Sequence, residues 1–455
     1  MKVSVIGTGY VGLVSGTCLA DVGHHVACVD IRLEVVDKIN KGVSPIHEKD
    51  LDHLLEKVVG NGLLAATTDL DGAVRDSDVT LICVGTPTVG SEADLSQIVT
   101  AAESVGRVLA DKNSFHVVAV KSTVLPGTTE GIVRRTIEQS SGKPLNHGWG
   151  LCMNPEFLRE GRALEDFHSP DRIVIGASDE RSAELMLRLY EPYDCPKLVT
   201  SPRTAEMIKY VANSLLATLI SFSNEIGNLC AAVPGVDARE VWKGVHLDRR
   251  FSPVKADRDH PPGVVEYLWH GLGFGGSCFP KDVAAIQGFG QKVGTTTAIL
   301  DAVLNVNHSQ PMRIVSLLEE DMTLAGRTIA VLGLAFKPGT DDLRHSPAIP
   351  VVKTLIERGA HVVVHDPIAM PGAKHDSVLR HATFAVDWRA ALKGADACCL
   401  ITGWPEYREI QAADFAGYMS KPLLIDGRGL FDPAVLGKAG VKWKGIGYTP
   451  VAVEQ

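Results

Sequence analysis

Covalent chemistry is best served by the segment Gly273-Phe274-Gly275-Gly276-Ser277-Cys278-Phe279-Pro280-Lys281-Asp282 of the 455-residue chain. Its glycines let the main chain turn sharply and let a bulky ligand approach it. A free thiol has a pKa of about 8.5, and a nearby cation such as Lys281 raises its thiolate fraction. The same residues also suit a turn that merely buries a cysteine. Lys209 and Asn213 stand four apart in a helical run over 204–232, so both tips lie on one face. Flanked by Met207, Ile208, Val211, Leu215 and Leu216, an ammonium beside an amide can bind a developing oxyanion. The alternative is the solvated edge of a core helix. Glu156 and Glu160 are also four apart, in Asn154-Pro155-Glu156-Phe157-Leu158-Arg159-Glu160-Gly161. They either face one site or form an exposed first helical turn.

The elements that position such groups begin at the N-terminus. Lys2–Ile6 is a short buried strand, followed by Gly7-Thr8-Gly9-Tyr10-Val11-Gly12, a helix over 14–22 and a strand His25–Val29 ending in Asp30. This is the strand–glycine turn–helix–strand context of a dinucleotide site, with an acid about 20 residues on. Gly7 allows the tight turn, Gly9 the approach of a pyrophosphate, and Gly12 the packing of helix on strand. Asp30 would hydrogen-bond the ribose hydroxyls and repel a 2′-phosphate, which favours NAD over NADP; Arg32 nearby weakens that preference. Two further apolar strands, over 79–84 and 115–120, end in Gly85-Thr86-Pro87-Thr88 and Lys121-Ser122-Thr123. Strand carboxyl ends carry the ligand in open α/β sheets, so Thr86 and Thr123 are placed to reach it, unless they serve only as turn residues or caps.

A second βαβ plan lies in the C-terminal third: a strand over 327–333, a helix over 348–358, and a strand His361–Val364 followed by His365-Asp366. Ala335-Phe336-Lys337-Pro338-Gly339 replaces the glycine fingerprint, so a different ligand is expected. Lys337, Arg344 and Arg428 lie at loop positions of this sheet and suit a phosphate-bearing ligand, although each singly reads as a surface charge. Residues 249–262 read as a loop. A net charge of −9 argues against nonspecific nucleic-acid binding. Nine cysteines with no Cys-x-x-Cys element favour a reducing cytoplasm and indicate no zinc or other metal site. Glycines break the apolar N-terminus, so it reads as a strand and not a signal peptide. No apolar run is long enough for a membrane span.

GTGYVG, CVGTPT, KSTVLPGT, NPEFLREG, the Lys209/Asn213 helix, GFGGSCFPKD and FKPGTDDLRHSP occur in that order over nearly the whole chain. With them the chain resembles the UDP-glucose/GDP-mannose 6-dehydrogenase family. The resemblance implies an α/β fold of two Rossmann-like doubly wound domains joined by a central helical domain with a long helix. The boundaries would be 1–198 for NAD, 199–310 for dimerisation and the cysteine, and 311–455 for the nucleotide-sugar. It implies a homodimer or higher homo-oligomer, and oxidation of the sugar C6 alcohol to a carboxylate with two NAD⁺ in turn.

Carried onto this chain, Cys278 would trap the C6 aldehyde as a thiohemiacetal that becomes a thioester. Lys209 and Asn213 would stabilise the oxyanion, Asp282 and Thr123 would hold a water for proton transfer, and Glu156 or Glu160 would be the base for hydrolysis. Gly7, Gly9, Tyr10, Val11, Gly12, Asp30, Arg32, Thr86, Pro87, Ser122, Thr123, Glu160, Lys281 and Arg344 would hold the cofactor. Glu156, Phe157, Leu158, Arg159, Tyr267, Leu268, Gly273, Phe336, Lys337 and Arg428 would join Lys209, Asn213 and Cys278 around the nucleotide-sugar. Two departures stand out: His47-Glu48-Lys49-Asp50 replaces an acidic-proline-glycine step, and Pro261-Pro262-Gly263-Val264-Val265-Glu266 replaces a segment that commonly carries a substrate arginine, for which Arg250 or Arg258 would have to stand in. GDP-mannose or a UDP-N-acetylhexosamine is therefore the alternative substrate to UDP-glucose. A sensor of NAD or nucleotide-sugar is the non-catalytic alternative, with no need for a nucleophile.

Overall fold

The computed structural model describes residues 1–89, 92–251 and 263–449; Arg258, Pro261 and Pro262 lie outside the described residues. The chain divides into two compact units, Met1–Ala212 and Asn213–Gln455. In the first, an eight-stranded sheet is built from β1 (Lys2–Ile6), β2 (His25–Val29), β3 (Leu64–Thr67), β4 (Val79–Ile82), β5 (His116–Val120), β6 (Trp149–Met153), β7 (Ile173–Ala177) and β8 (Lys197–Thr200). Their spatial order is β8-β7-β6-β5-β4-β1-β2-β3. All neighbours are parallel except β6 and β7, which pair Cys152 with Ala177 in antiparallel register. β4, β5 and β6 are buried at every residue. Parallel strands covered on both faces read as near-continuous apolar runs, and the polar exceptions here, Thr80 and His116, are buried and bonded to each other (2.8 Å).

The glycine turn follows from sterics. Gly7 sits at φ +92°, and its N–H donates to Val29 O (2.8 Å), which joins the turn to β2. Helix α1 (Tyr10–Asp21) starts at the turn itself, earlier than the run from Val14 that the apolar pattern predicts. A Cβ on Gly12 would lie 1.9 Å from Gly7 O, so only glycine lets α1 pack here. A Cβ on Gly9 would meet nothing within 4 Å, so that side of the turn is open.

The second unit has a six-stranded parallel sheet: β9 (Thr328–Leu332), β10 (His361–His365), β11 (Thr383–Phe384), β12 (Ala397–Leu400), β13 (Leu423–Asp426) and β14 (Lys442–Gly445), in the order β11-β10-β9-β12-β13-β14. Cys398 and Cys399 are fully buried on β12. The long helix α2 (Pro202–Ala231) crosses the unit boundary, and α3 (Phe279–Lys292) and α4 (Ala298–Ser309) belong to the second unit. Phe274, Val283 and Val303 pack with Ala217 into a small core that holds this part of α2 against α3 and α4. Among the described residues no helix is long and apolar enough to cross a membrane.

Gly12→Ala should destabilise the first unit by about 1–3 kcal/mol, because a methyl group is forced onto backbone. Gly9→Ala should change stability by less than about 0.5 kcal/mol. Thermal unfolding followed by circular dichroism separates the two, and equal losses would contradict the packing described.

Candidate active site

The first unit brings three strand ends together. Beyond β2, Asp30 is 8% exposed and accepts from Thr8 Oγ1 (2.5 Å) and the Thr8 N–H (3.3 Å) of the turn that follows β1. It also accepts from the Arg32 N–H (3.0 Å) and Arg32 Nε (3.2 Å). Burial pushes the Asp30 carboxyl up, but the bonds from Arg32 and Thr8 outweigh it and hold it below the ordinary range. Arg32 is therefore paired with Asp30, while its side chain stays more than half exposed. α1 has no side-chain cap at Gly9, so its first N–H groups keep their capacity for an anion. The open turn, the uncapped helix and the acid after β2 together fit a bound dinucleotide. Beyond β4 and β5, Thr86 Oγ1 donates to Thr123 O (3.1 Å) and Ser122 Oγ to Val84 O (2.6 Å), which ties the two loops to each other. Pro87 is exposed at the rim of the first loop. Buried Glu206 on α2 accepts from Gly127 N (2.5 Å) and Thr129 N (2.8 Å), so the loop that follows Thr123 is held from the helix side.

Past β6 the chain turns at Asn154-Pro155 and buries Glu156. Its carboxylate pairs with Lys209 Nζ on α2 at 2.8 Å, both side chains being under a tenth exposed, and accepts from the Leu158 N–H (2.6 Å). Burial pushes this carboxyl up, yet Lys209, the Leu158 N–H and more distant Lys121 together hold it below its ordinary value. Phe157 lies between the Arg172 guanidinium (4.0 Å from the ring centroid) and Lys209 (5.3 Å). Arg159 is bound to Asp166 (2.5 Å), which fixes the loop's outer limb. Half-buried Glu160 acts electrostatically on the Tyr10 hydroxyl at the start of α1. Glu156 thus faces the α2 lysine, whereas Glu160 lies within electrostatic reach of Tyr10. A cavity of about 220 Å³ behind this loop is lined by Lys121, Asn154, Glu156, Phe157, Arg172 and Tyr190, among others.

The second unit carries the cysteine. Cys278 is the residue before the first turn of α3, half-buried, with Pro280 in that turn. Asp282, one turn on, is fully buried; it accepts from Lys281 Nζ (2.6 Å) at one oxygen and from Asn213 Nδ2 (2.6 Å) at the other. Asn307 on α4 accepts from the Phe274 N–H (2.7 Å) and donates to Phe274 O (3.0 Å), clamping the turn as a strand neighbour would. Gly276, at φ +79°, lies so close to the Phe336 ring that a Cβ would come within 2.7 Å, and its N–H donates to Arg344 O (2.8 Å). The cysteine turn and the 336–345 loop are therefore packed together within this unit. Lys337 stands 5.5 Å from the Phe336 centroid, and Arg344 pairs with Asp342 (2.8 Å). Arg428 donates from Nε to Ile401 O (2.6 Å), and burial lowers its pKa to about 10. Tyr267 stacks obliquely on Phe279 (6.3 Å), while the Leu268 side chain is in the core and its carbonyl is engaged by His246. Exposed Arg250 is paired with Asp248 (2.5 Å).

Glu48, Lys121, Glu206 and Asn307 escape the sequence reading. Glu48 stands in a segment that reads only as a departure. Nothing marks Asn307, whose role arises from a partner 33 residues away.

Sequence models of the UDP-glucose/GDP-mannose dehydrogenase family match the chain in three parts. The NAD binding domain matches residues 1–194, the central domain 203–309 and the UDP binding domain 330–433. A UDP-glucose 6-dehydrogenase of Haloferax volcanii is 42% identical over 94% of this chain and 96% of its own. One of Bacillus subtilis is 40% identical over 98% and 93%. The solved structure of a UDP-glucose dehydrogenase from Pyrobaculum islandicum has 41% identity and a TM-score of 0.88, covering 98% of both chains.

Replacing Lys209 by glutamine leaves Glu156 buried without its cation, which should cost the first unit about 3–5 kcal/mol. Because the cation holds the Glu156 carboxyl low, its stabilisation is present above the ordinary carboxyl range and is lost as pH falls through the lowered value. Without Lys209 the carboxyl rises, so acid unfolding followed by circular dichroism should begin at higher pH. An unmoved acid midpoint would contradict the pairing.

Proposed function

The chain belongs to the UDP-glucose/GDP-mannose dehydrogenase family, and we propose that it oxidises the C6 alcohol of UDP-glucose to UDP-glucuronate through a covalent intermediate on Cys278. It is an NAD-dependent nucleotide-sugar 6-dehydrogenase. NAD⁺ supplies a hydride acceptor when bound, one molecule for each of the two oxidations. The observation that carries the covalent reading is the place of Cys278 at the N-terminus of α3, where unsatisfied N–H groups and the helix dipole favour negative charge on sulfur.

The chain's own residues divide the work as follows. The C6 hydroxyl gives up its proton to water held by Asp282 and Thr123 while hydride leaves C6, and the aldehyde stays bound. The Cys278 thiolate adds to the aldehyde carbon, and the resulting alkoxide is stabilised by Lys209 and Asn213 as a thiohemiacetal. Loss of a second hydride turns that adduct into a thioester. Water then attacks the acyl carbon, its proton passing to Glu156, and the carboxylate departs as the thiol is released. We assign the hydrolytic base to Glu156 because it adjoins Lys209, and Glu160 to the cofactor because it lies within electrostatic reach of Tyr10 at the start of α1. Phe157, Leu158, Arg159, Tyr267, Leu268, Gly273, Phe336, Lys337 and Arg428 are assigned to the nucleotide-sugar. Gly7, Gly9, Val11, Gly12, Asp30, Arg32, Thr86, Pro87, Ser122, Lys281 and Arg344 are assigned to NAD. The functional domains are taken as 1–198, 199–310 and 311–455, working in the cytoplasm.

Along α2, Val211, Leu215, Phe222 and Leu229 are each more than half exposed, at spacings of four and seven that line one face. A stripe of this kind is covered most simply by a second copy of the chain, so the assembly is proposed to be a homodimer or higher homo-oligomer. Sedimentation of a single 48.7 kDa species at micromolar concentration would remove that reading.

Cys278→Ser should lower acid formation at least about a hundredfold while NAD still binds. The wild-type chain should release two NADH per UDP-glucose, and little with GDP-mannose or UDP-N-acetylhexosamines. An NADH-release assay across those sugars decides it; turnover only with one of the others would overturn the substrate, and undiminished acid from Cys278→Ser the covalent step.

A further inference from the structure

Glu48 has no part in the chemistry above, yet it is among the most strongly engaged carboxylates of the first unit. Its side chain is 6% exposed. One oxygen accepts from the Tyr10 hydroxyl (2.5 Å) and the Gly161 N–H (2.7 Å), and the other from the Ala163 N–H (2.8 Å). All three donors are uncharged. Burying a carboxylate without a cation is costly, and each of its bonds has to be well made for it to remain. The loop that presents it is itself tied down: Ser44 N donates to Asp52 Oδ1 (2.7 Å) and Ser44 Oγ to Ile46 O (2.7 Å).

Capping the short helix that begins at Ala163 would explain only one of these bonds. The other two join the first residue of α1, directly after the glycine turn, to the residue directly after Glu160. Burial, and then the hydrogen bond to Glu48, hold the Tyr10 hydroxyl protonated, so it remains a donor at working pH. We propose that Glu48 is a positioning residue for the cofactor: it locks the Glu160 loop to the start of α1, so that the dinucleotide meets both in one fixed arrangement. This rests on the assignment of Glu160 to NAD.

The test is calorimetric titration of NAD, and separately of UDP-glucose, into the full chain and into Glu48→Gln, Tyr10→Phe and the double variant. Glutamine keeps the size of the side chain but turns an NH₂ group toward one of the donors. Each single variant should weaken NAD about tenfold, the loss typical of one or two charge-assisted bonds. The double variant should be no worse than Glu48→Gln alone, since both remove the same link. UDP-glucose affinity should stay within about twofold. Unchanged NAD affinity in Glu48→Gln, a double variant whose losses multiply, or equal losses for both ligands would each overturn the proposal, the last by making Glu48 merely structural. Binding is read directly, so a chain that bound NAD but turned over no UDP-glucose would sink the proposed function and leave the role of Glu48 standing.

Discussion

A buried carboxylate, one helical turn after a cysteine, is the constraint around which the second unit is arranged. Both oxygens of Asp282 are satisfied there, one by the Lys281 ammonium and one by the Asn213 amide. Removing either donor would leave a buried oxygen without that partner, so α2 and α3 must keep their register. That register in turn fixes where α3 begins, and hence where Cys278 lies. The glycines before it are shaped by the same pressure from the other side, for Phe336 and the Arg344 carbonyl occupy the space that side chains would need.

The first unit solves a related problem differently. Glu156 is also buried, but its cation Lys209 comes from α2, a partner 53 positions along the chain. Lys209 and Asn213 lie one turn apart on that helix, and each is committed to a carboxylate: Lys209 to Glu156, Asn213 to Asp282. Donors held in this way are already oriented and desolvated before any substrate arrives. In the role proposed for them at an oxyanion, they would need no reorganisation as negative charge develops, which is the condition for strong electrostatic stabilisation.

Much of this is legible because parallel strands covered on both faces are mostly apolar and end where the chain turns. Lys2–Ile6 and His25–Val29, with the glycines between, appear in the structure at the residues expected, as does the repeat in the C-terminal third. The start of α1 was misjudged because Tyr10 and Gly12 carry no amphipathic signal; the helix begins there because Gly12 fits against Gly7. Glu48 could not be read at all, since its partners at Gly161 and Ala163 lie 113 and 115 residues away and an acid before a helix is usually solvated. Arg32 stands close to Asp30 in sequence, but the backbone bond and side-chain bond that fold it onto that carboxylate are visible only in the structure. Hydrogen bonds that close over such separations leave no local pattern.

The two sheets show why one glycine turn keeps a dinucleotide fingerprint and the other does not. Gly7 and Gly333 adopt nearly the same backbone, φ +92° and +94°, and each donates its N–H to the last residue of the neighbouring strand, Val29 or His365. Each of those strands is followed by a buried aspartate. Asp366 accepts from the backbone N–H groups of Leu334, Ala335, Ile368 and Ala369 and from the Trp404 indole, none of which can leave without unmaking the turn. Asp30 accepts in part from the Arg32 side chain, which is more than half exposed and free to swing into solvent. The first aspartate therefore suits the cofactor-binding role proposed for it, whereas the second is spent on holding its own loop. What separates the two carboxylates is an exposed side-chain donor: Asp30 has one in Arg32, whereas the side-chain donor of Asp366, Trp404, is buried.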